Sequence, residues 1–142
     1  MKKLIFCASM ALFGNGFCHT LSDFNAIKSA AIKGNTIHMA VDFLACDGPS
    51  QPLLDPVLIG VITPDLLAIT QDKIATSTNH FTLNDPSFSG KPVYEFVRYT
   101  FTSDNNLEIW MQVLDAKSFS KLSDKYTYQC KNGQGVKVYA SK

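Results

Sequence analysis

The chain has 142 residues, of which 46% are hydrophobic and 18% charged, and its formal net charge is +1. That length suits one domain, and the composition excludes a chain too polar to build a core. Lysines are scattered singly from Lys28 to Lys142, so neither a nucleic acid nor an anionic membrane surface has electrostatic support as a partner.

Lys2 and Lys3 precede the apolar run Leu4 to Phe13, which Gly14-Asn15-Gly16 interrupts. This order predicts a secretory signal peptide over residues 1–18, cleaved after Gly16 or Cys18, with a single domain over 19–142. The run is short for a retained anchor, and the bulky Phe17 disfavours lipidation at Cys18. Without Lys2 and Lys3 the chain carries 11 basic and 12 acidic residues, a net charge of −1. The longest later apolar run, Val57 to Ile62, is too short to span a membrane.

Thr20 to Asn35 carries the helix pattern. Phe24, Ile27, Ala30, Ala31 and Ile32 recur at helical spacing, Thr20 or Ser22 suits the cap, and Gly34 or Asn35 suits a left-handed exit. Thr36 to Leu44 then alternates as a half-buried strand, with Ile37, Met39, Val41 and Phe43 on one face. It leads to Cys46 and the turn-rich Asp47 to Pro52. Val57 to Ile62 predicts a strand covered on both faces, Leu66 to Thr70 a short strand or turn, and Lys73 to Leu83 a threonine-rich strand. Asn84 to Pro92 is a loop.

Val93 to Asp115 is the richest strand-period stretch and predicts the central hairpin. Val93, Val97, Tyr99 and Phe101 share one parity, as do Leu107, Ile109, Met111 and Val113. A three-residue loop, Asp104-Asn105-Asn106, puts both sets on one face, and asparagine tolerates its left-handed last position. Phe101 then faces Ile109, Tyr99 faces Met111 and Arg98 faces Gln112. Ala116 to Leu122 predicts a helical turn or irregular connection. Tyr126 to Cys130 and Val136 to Ala140 predict a second hairpin around Lys131 to Gly135. The sum is an α+β domain, with one N-terminal helix packed on a bent antiparallel sheet or small open barrel of six or seven strands. After removal of the leader, Cys46 and Cys130 remain as an even pair in an exported chain, which predicts a disulfide.

Several of these pieces together resemble the VirK family of small exported bacterial proteins. They are the leader, the helix ending near Lys33-Gly34, and Val41-Asp42-Phe43 with Cys46 beyond. Arg98-Tyr99-Thr100-Phe101, Cys130, Gly133-Gln134-Gly135-Val136 and Tyr139 complete the set. The similarity spans nearly the whole mature chain. It implies export and a virulence-associated or host-contact role, and it carries over no catalytic or binding residues.

The residues offer little that could carry a reaction. His38 and Asp42 on a strand lie about 13 Å apart, beyond shared metal coordination, so no metal or cofactor is expected. Glu95 and Glu108 fall on opposite faces of the hairpin, which removes a glycosidase-like pair. Gly133-Gln134-Gly135 precedes a strand, not the helix that a nucleotide fingerprint needs. No catalytic residue is assigned. The one constellation worth testing is on the outer face of the hairpin, where Arg98, Thr100, Glu108, Trp110 and Gln112 form a candidate binding patch. The plainer alternative is that Arg98 packs on Trp110 and satisfies a nearby carboxylate. The resulting expectation is a periplasmic or secreted, non-enzymatic protein that binds an unidentified protein or small ligand. The alternatives are a periplasmic enzyme using Cys46 and an apolar-ligand carrier.

Overall fold

The computed structural model describes residues 18–49 and 59–142. The predicted leader through residue 17, part of the Asp47–Pro52 turn segment and the start of the Val57–Ile62 strand lie outside the described residues. The elements run β1 (His19–Leu21), α1 (Phe24–Ile32), β2 (Thr36–Asp42), a 3-10 turn (Phe43–Ala45), β3 (Ile59–Ile62), β4 (Ala68–Ile69) and β5 (Lys73–Thr82). β6 (Val93–Thr102), β7 (Asn106–Asp115), β8 (Tyr126–Lys131) and β9 (Val136–Ser141) follow.

The described chain is mostly β, with nine strands in two antiparallel sheets and one α-helix. One sheet has the order β1-β9-β2-β3 and the other β4-β5-β6-β7-β8. This corrects the single bent sheet or barrel of six or seven strands. The reason lies at residues 131–136, where the predicted second hairpin does not form: β8 pairs with β7, whereas β9 pairs with β1 and β2. Gly133 and Gly135 hold positive φ values of 87° and 117°, and the chain uses that freedom to leave one sheet and enter the other.

The core fills the space between the sheets. Ile37, Met39, Val41, Val136, Val138 and Ala140 come from one sheet, and Ile74, Tyr99, Phe101, Leu107, Ile109 and Tyr128 from the other. Leu107, Ile109, Val41, Val136 and Val138 are almost completely buried. Each contributes roughly 1.5 to 3 kcal/mol by leaving water. The alternation that predicted β2 buries Ile37, Met39 and Val41, but Phe43 belongs to the 3-10 turn and packs edge-on against Tyr128. On β3, Ile59 and Val61 are exposed, so that strand is not covered on both faces.

The helix is shorter than the Thr20–Asn35 span, because residues 19–21 pair with β9 as β1. Asp23, rather than Thr20 or Ser22, is its cap and accepts from the Ala26 amide at 2.9 Å. It ends with Gly34 at φ 81°, where the Gly34 and Asn35 amides donate to the Ala31 and Ala30 carbonyls. Phe24, Ile27 and Ala30 face inward, and the helix packs on β2 and β9.

The β6–β7 hairpin forms with a three-residue turn, but the turn is Ser103-Asp104-Asn105, one residue earlier than predicted. Asn105, not Asn106, takes the left-handed conformation at φ 65°. Tertiary contacts make that choice: Asn105 Oδ1 accepts from the Phe24 amide at 2.7 Å, and its carbonyl accepts from the Asn132 amide at 3.1 Å. Asn132 Nδ2 in turn donates to the Leu21 carbonyl at 3.0 Å. The shift moves the register by two, so Phe101 faces Leu107, Tyr99 faces Ile109 and Arg98 faces Trp110. Parity survives, and the predicted inner and outer sets stay on their faces.

Candidate binding face of the five-stranded sheet

Cys46 and Cys130 are joined in a disulfide across 84 residues. Cys46 follows the 3-10 turn after β2, and Cys130 is buried on β8, so the bridge ties one sheet to the other. Beside it, Asp47 and Gln129 exchange backbone hydrogen bonds at 2.9 and 2.7 Å. Cys46, held in the bridge, offers no thiolate for nucleophilic chemistry. Cys18 is exposed and has no partner among the described residues. Between the sheets, the void lined by Ile27, Ile37, Met39, Tyr99 and Val138 is about 10 Å³, the space of about one water and too small for an apolar ligand. Among the described residues no group of three or more His, Cys, Asp or Glu is placed to hold a metal ion. No helix among them is long and apolar enough to cross a membrane.

The five residues predicted as a patch all lie on the outer face of β6 and β7. Arg98 stands directly opposite Trp110, and Thr100 opposite Glu108. Only Arg98 and Trp110 line the shallow groove of about 350 Å³ that crosses this face, together with Leu66, Ala68, Ala75, Ser77 and Phe96. Glu108 accepts from Gln129 Nε2 at 3.1 Å, and Gln112 Nε2 donates to the Ser123 carbonyl at 3.1 Å. Both are thereby turned toward neighbours. Arg98 is exposed, and among the described residues no carboxylate pairs with it. The cation on Trp110 is Lys125, with Nζ 4.7 Å from the ring centroid, while Phe96 lies 5.1 Å from Trp110 on its flank.

Sequence reasoning missed how far this aromatic surface extends. Phe81 meets Tyr94 at 5.6 Å, and Phe119 stacks on Tyr94 at 5.8 Å and 11° between planes. Phe81 and Phe119 are more than half exposed. The signal was present in the shared parity of Tyr94, Phe96 and Trp110, but Phe119 comes from an irregular turn that periodicity does not read. That turn places Phe119 at φ 56° and is held by Asp115. The Asp115 carboxylate accepts from the backbone amides of Ser118 and Lys117 and from the Ser118 hydroxyl, and pairs with Lys91 at 3.2 Å. These donors, the Ser118 amide foremost, hold its pKa well below the usual carboxylate range.

A depressed carboxylate adds stability that is present above its unfolded pKa and is lost as pH falls through the folded one. Asp115→Asn is therefore expected to flatten the acid limb of the stability curve below about pH 4, the ordinary carboxylate range. It should leave the neutral-to-alkaline limb parallel to that of the unaltered chain. Thermal midpoints measured from pH 7 down to pH 2 in both proteins check this, and parallel curves throughout would remove Asp115 from the acid response.

Sequence reasoning also missed a cleft of about 310 Å³ where β6 and β7 meet the 85–88 loop and the 122–126 segment. Asp85, Phe88, Glu95, Met111, Leu122 and Tyr126 are among its lining residues. Asp85 is buried, but its Oδ1 already accepts the Ser87 and Phe88 amides at 2.8 and 3.1 Å, which makes it a loop-forming residue. Glu95 accepts from or pairs with His80 Nδ1 at 3.0 Å.

The architecture is that of a two-sheet β protein with one helix and a bridge clamping the sheets. The family model described as VirK protein matches residues 20–119, and the chain belongs to the VirK family. A crystal structure of lpg1832, a VirK family protein from Legionella pneumophila, superposes with a TM-score of 0.76 at 30% identity. It covers 84% of this chain and 97% of that one. Among curated relatives, the uncharacterized protein y4wH of Sinorhizobium fredii is 28% identical over 89% of this chain and 86% of its own length. An uncharacterized protein from the pinF2 3′ region of Rhizobium radiobacter is 24% identical over 86% and 83%.

Proposed function

We propose that this chain is an exported, virulence-associated, non-enzymatic protein that recognises a partner through the outer face of its five-stranded sheet. Its ligand is an acidic segment that sets a carboxylate on Arg98 and an apolar side chain on Phe96 and Trp110. The observation that carries this reading is Arg98 itself, an exposed guanidinium without a carboxylate partner among the described residues, opposite an indole in an apolar groove. Guanidinium and carboxylate match in geometry, and aromatic surface beside them supplies area. Export is supported by the pattern at Lys2 to Gly16 and by the disulfide, since such bridges persist in oxidising compartments.

Trp110 is the single tryptophan of the chain, so its emission reports occupancy of the groove directly. Titration with peptides that carry an acidic residue beside an aromatic one should shift that emission saturably. Matched lysine-containing peptides should not. A charge-assisted hydrogen bond of roughly 1.5 to 3 kcal/mol makes Arg98→Ala weaken binding by about 10- to 100-fold, with partial recovery in Arg98→Lys. Equal affinity in the wild type and Arg98→Ala would end the proposal.

A further inference from the structure

The edge of the five-stranded sheet carries a second surface, which meets the Arg98 groove at Ser77. β4 pairs with only two residues of β5, Ile74 and Ala75, so Thr76–Thr82 runs on without a hydrogen-bonded strand on that side among the described residues. The Thr70 amide donates to the Lys73 carbonyl at 2.8 Å, which fixes which residues aim their backbone at this edge. By the two-residue period of a strand they are Lys73, Ala75, Ser77, Asn79 and Phe81. The last three therefore present three N–H and three C=O groups outward, and all three residues are exposed.

Exposed edges are ordinarily blunted by proline, a bulge or a lysine. Thr76-Ser77-Thr78-Asn79-His80-Phe81-Thr82 has none of these, and its register against β6 is unbroken from Lys73↔Thr102 to Thr82↔Val93. Its one titratable side chain, His80, lies on the other face and is engaged by Glu95. The free groups are symmetric about Asn79, which is the condition for a two-fold contact between identical strands.

We infer that β5 is a self-association edge, pairing antiparallel with β5 of a second copy about an axis at Asn79 and making one continuous ten-stranded sheet. In that register Ser77 faces Phe81 of the second copy, Thr78 faces its His80 and Asn79 faces its Asn79. No like charges stand opposite. Ser77 lies between β6 Arg98 and that incoming Phe81, so a cation and an exposed aromatic ring share one row of the outer face. This pairing does not depend on the Arg98 groove binding anything.

Sedimentation equilibrium over a dilution series tests it. A strand pair is a small interface, so dimerisation is expected at concentrations on the order of 10 to 100 µM. The mass should then rise from one chain, 15.7 kDa for the full sequence, toward twice that value. Asn79→Pro removes an amide that faces the free edge and not β6, and proline is tolerated at such edges. That variant should keep its circular dichroism and its disulfide yet stay monomeric. If Asn79→Pro fails to fold, Asn79→Lys sets two ammonium groups together at the axis and should give the same monomer. A wild type that remains single-chain at about 500 µM, or an edge variant that still dimerises, would overturn the inference. So would a monomer that takes up an extended peptide along β5, since the edge would then serve another partner.

Discussion

Replacing Cys46 and Cys130 together by alanine is expected to lower the unfolding free energy by roughly 4 kcal/mol and the thermal midpoint by about 10 °C or more. The bridge closes a loop spanning 84 residues, and in the chain-entropy account a loop of that size restricts the unfolded chain by about 4 to 5 kcal/mol. Position matters as much as length. Cys130 sits on β8 of one sheet and Cys46 just past the 3-10 turn that follows β2 of the other, so the crosslink adds a covalent tie to layers also joined by side-chain packing, the Asp47–Gln129 pair, the Asn105 and Asn132 hydrogen bonds and the 131–136 corner. Cys130 is 1% exposed, and its alanine replacement adds a small cavity term. If constraint of the unfolded state dominates, the denaturant slope should rise in the cysteine-free protein, because its unfolded chain exposes more surface. Urea titrations of both proteins decide the matter. A loss under about 1 kcal/mol would mean that packing alone aligns the sheets.

Much of this architecture was legible in local pattern. Ile37, Met39 and Val41 point inward because a strand alternates with period two, and the same rule separates Arg98, Thr100, Glu108 and Trp110 from the buried Tyr99, Phe101, Leu107 and Ile109. Those residues needed no knowledge of distant neighbours. The register of the hairpin did, since Asn105 and Asn106 are equally able to close the turn and the Phe24 amide selects between them. The assignment of β8 and β9 to different sheets failed for a related reason. Their spacing fits a hairpin, and only the competing ladders with β7 and with β1 and β2 pull them apart. For the candidate site, the face was readable and its contents were not. Glu108 and Gln112 find partners on β8 and in the 122–125 segment, which leaves Arg98 as the exposed cation in the groove.

The corner between the sheets yields the other large expected effect, a loss of about 3 kcal/mol in Gly135→Ala against about 1 kcal/mol in Gly133→Ala. Both glycines have positive φ, so both substitutions meet the backbone penalty of an L side chain there. They differ in surroundings. A Cβ at Gly133 has nothing within 4 Å, whereas one at Gly135 would lie 2.9 Å from Cys46 Sγ and 3.0 Å from the Ala45 carbonyl oxygen. Neither neighbour yields easily, since the sulfur is bonded to Cys130 and the Ala45 carbonyl is backbone of the 3-10 turn; Gly135 is itself held, its carbonyl accepting from the Asp42 amide at 2.8 Å. The extra cost should therefore shrink when the bridge is absent. In the Cys46→Ala, Cys130→Ala background Gly135→Ala is expected to cost about 1 kcal/mol less than in the oxidised protein, a coupling that a double-mutant cycle measures. Equal penalties in the two backgrounds would place the whole effect in backbone conformation, and the corner would then be independent of the bridge beside it.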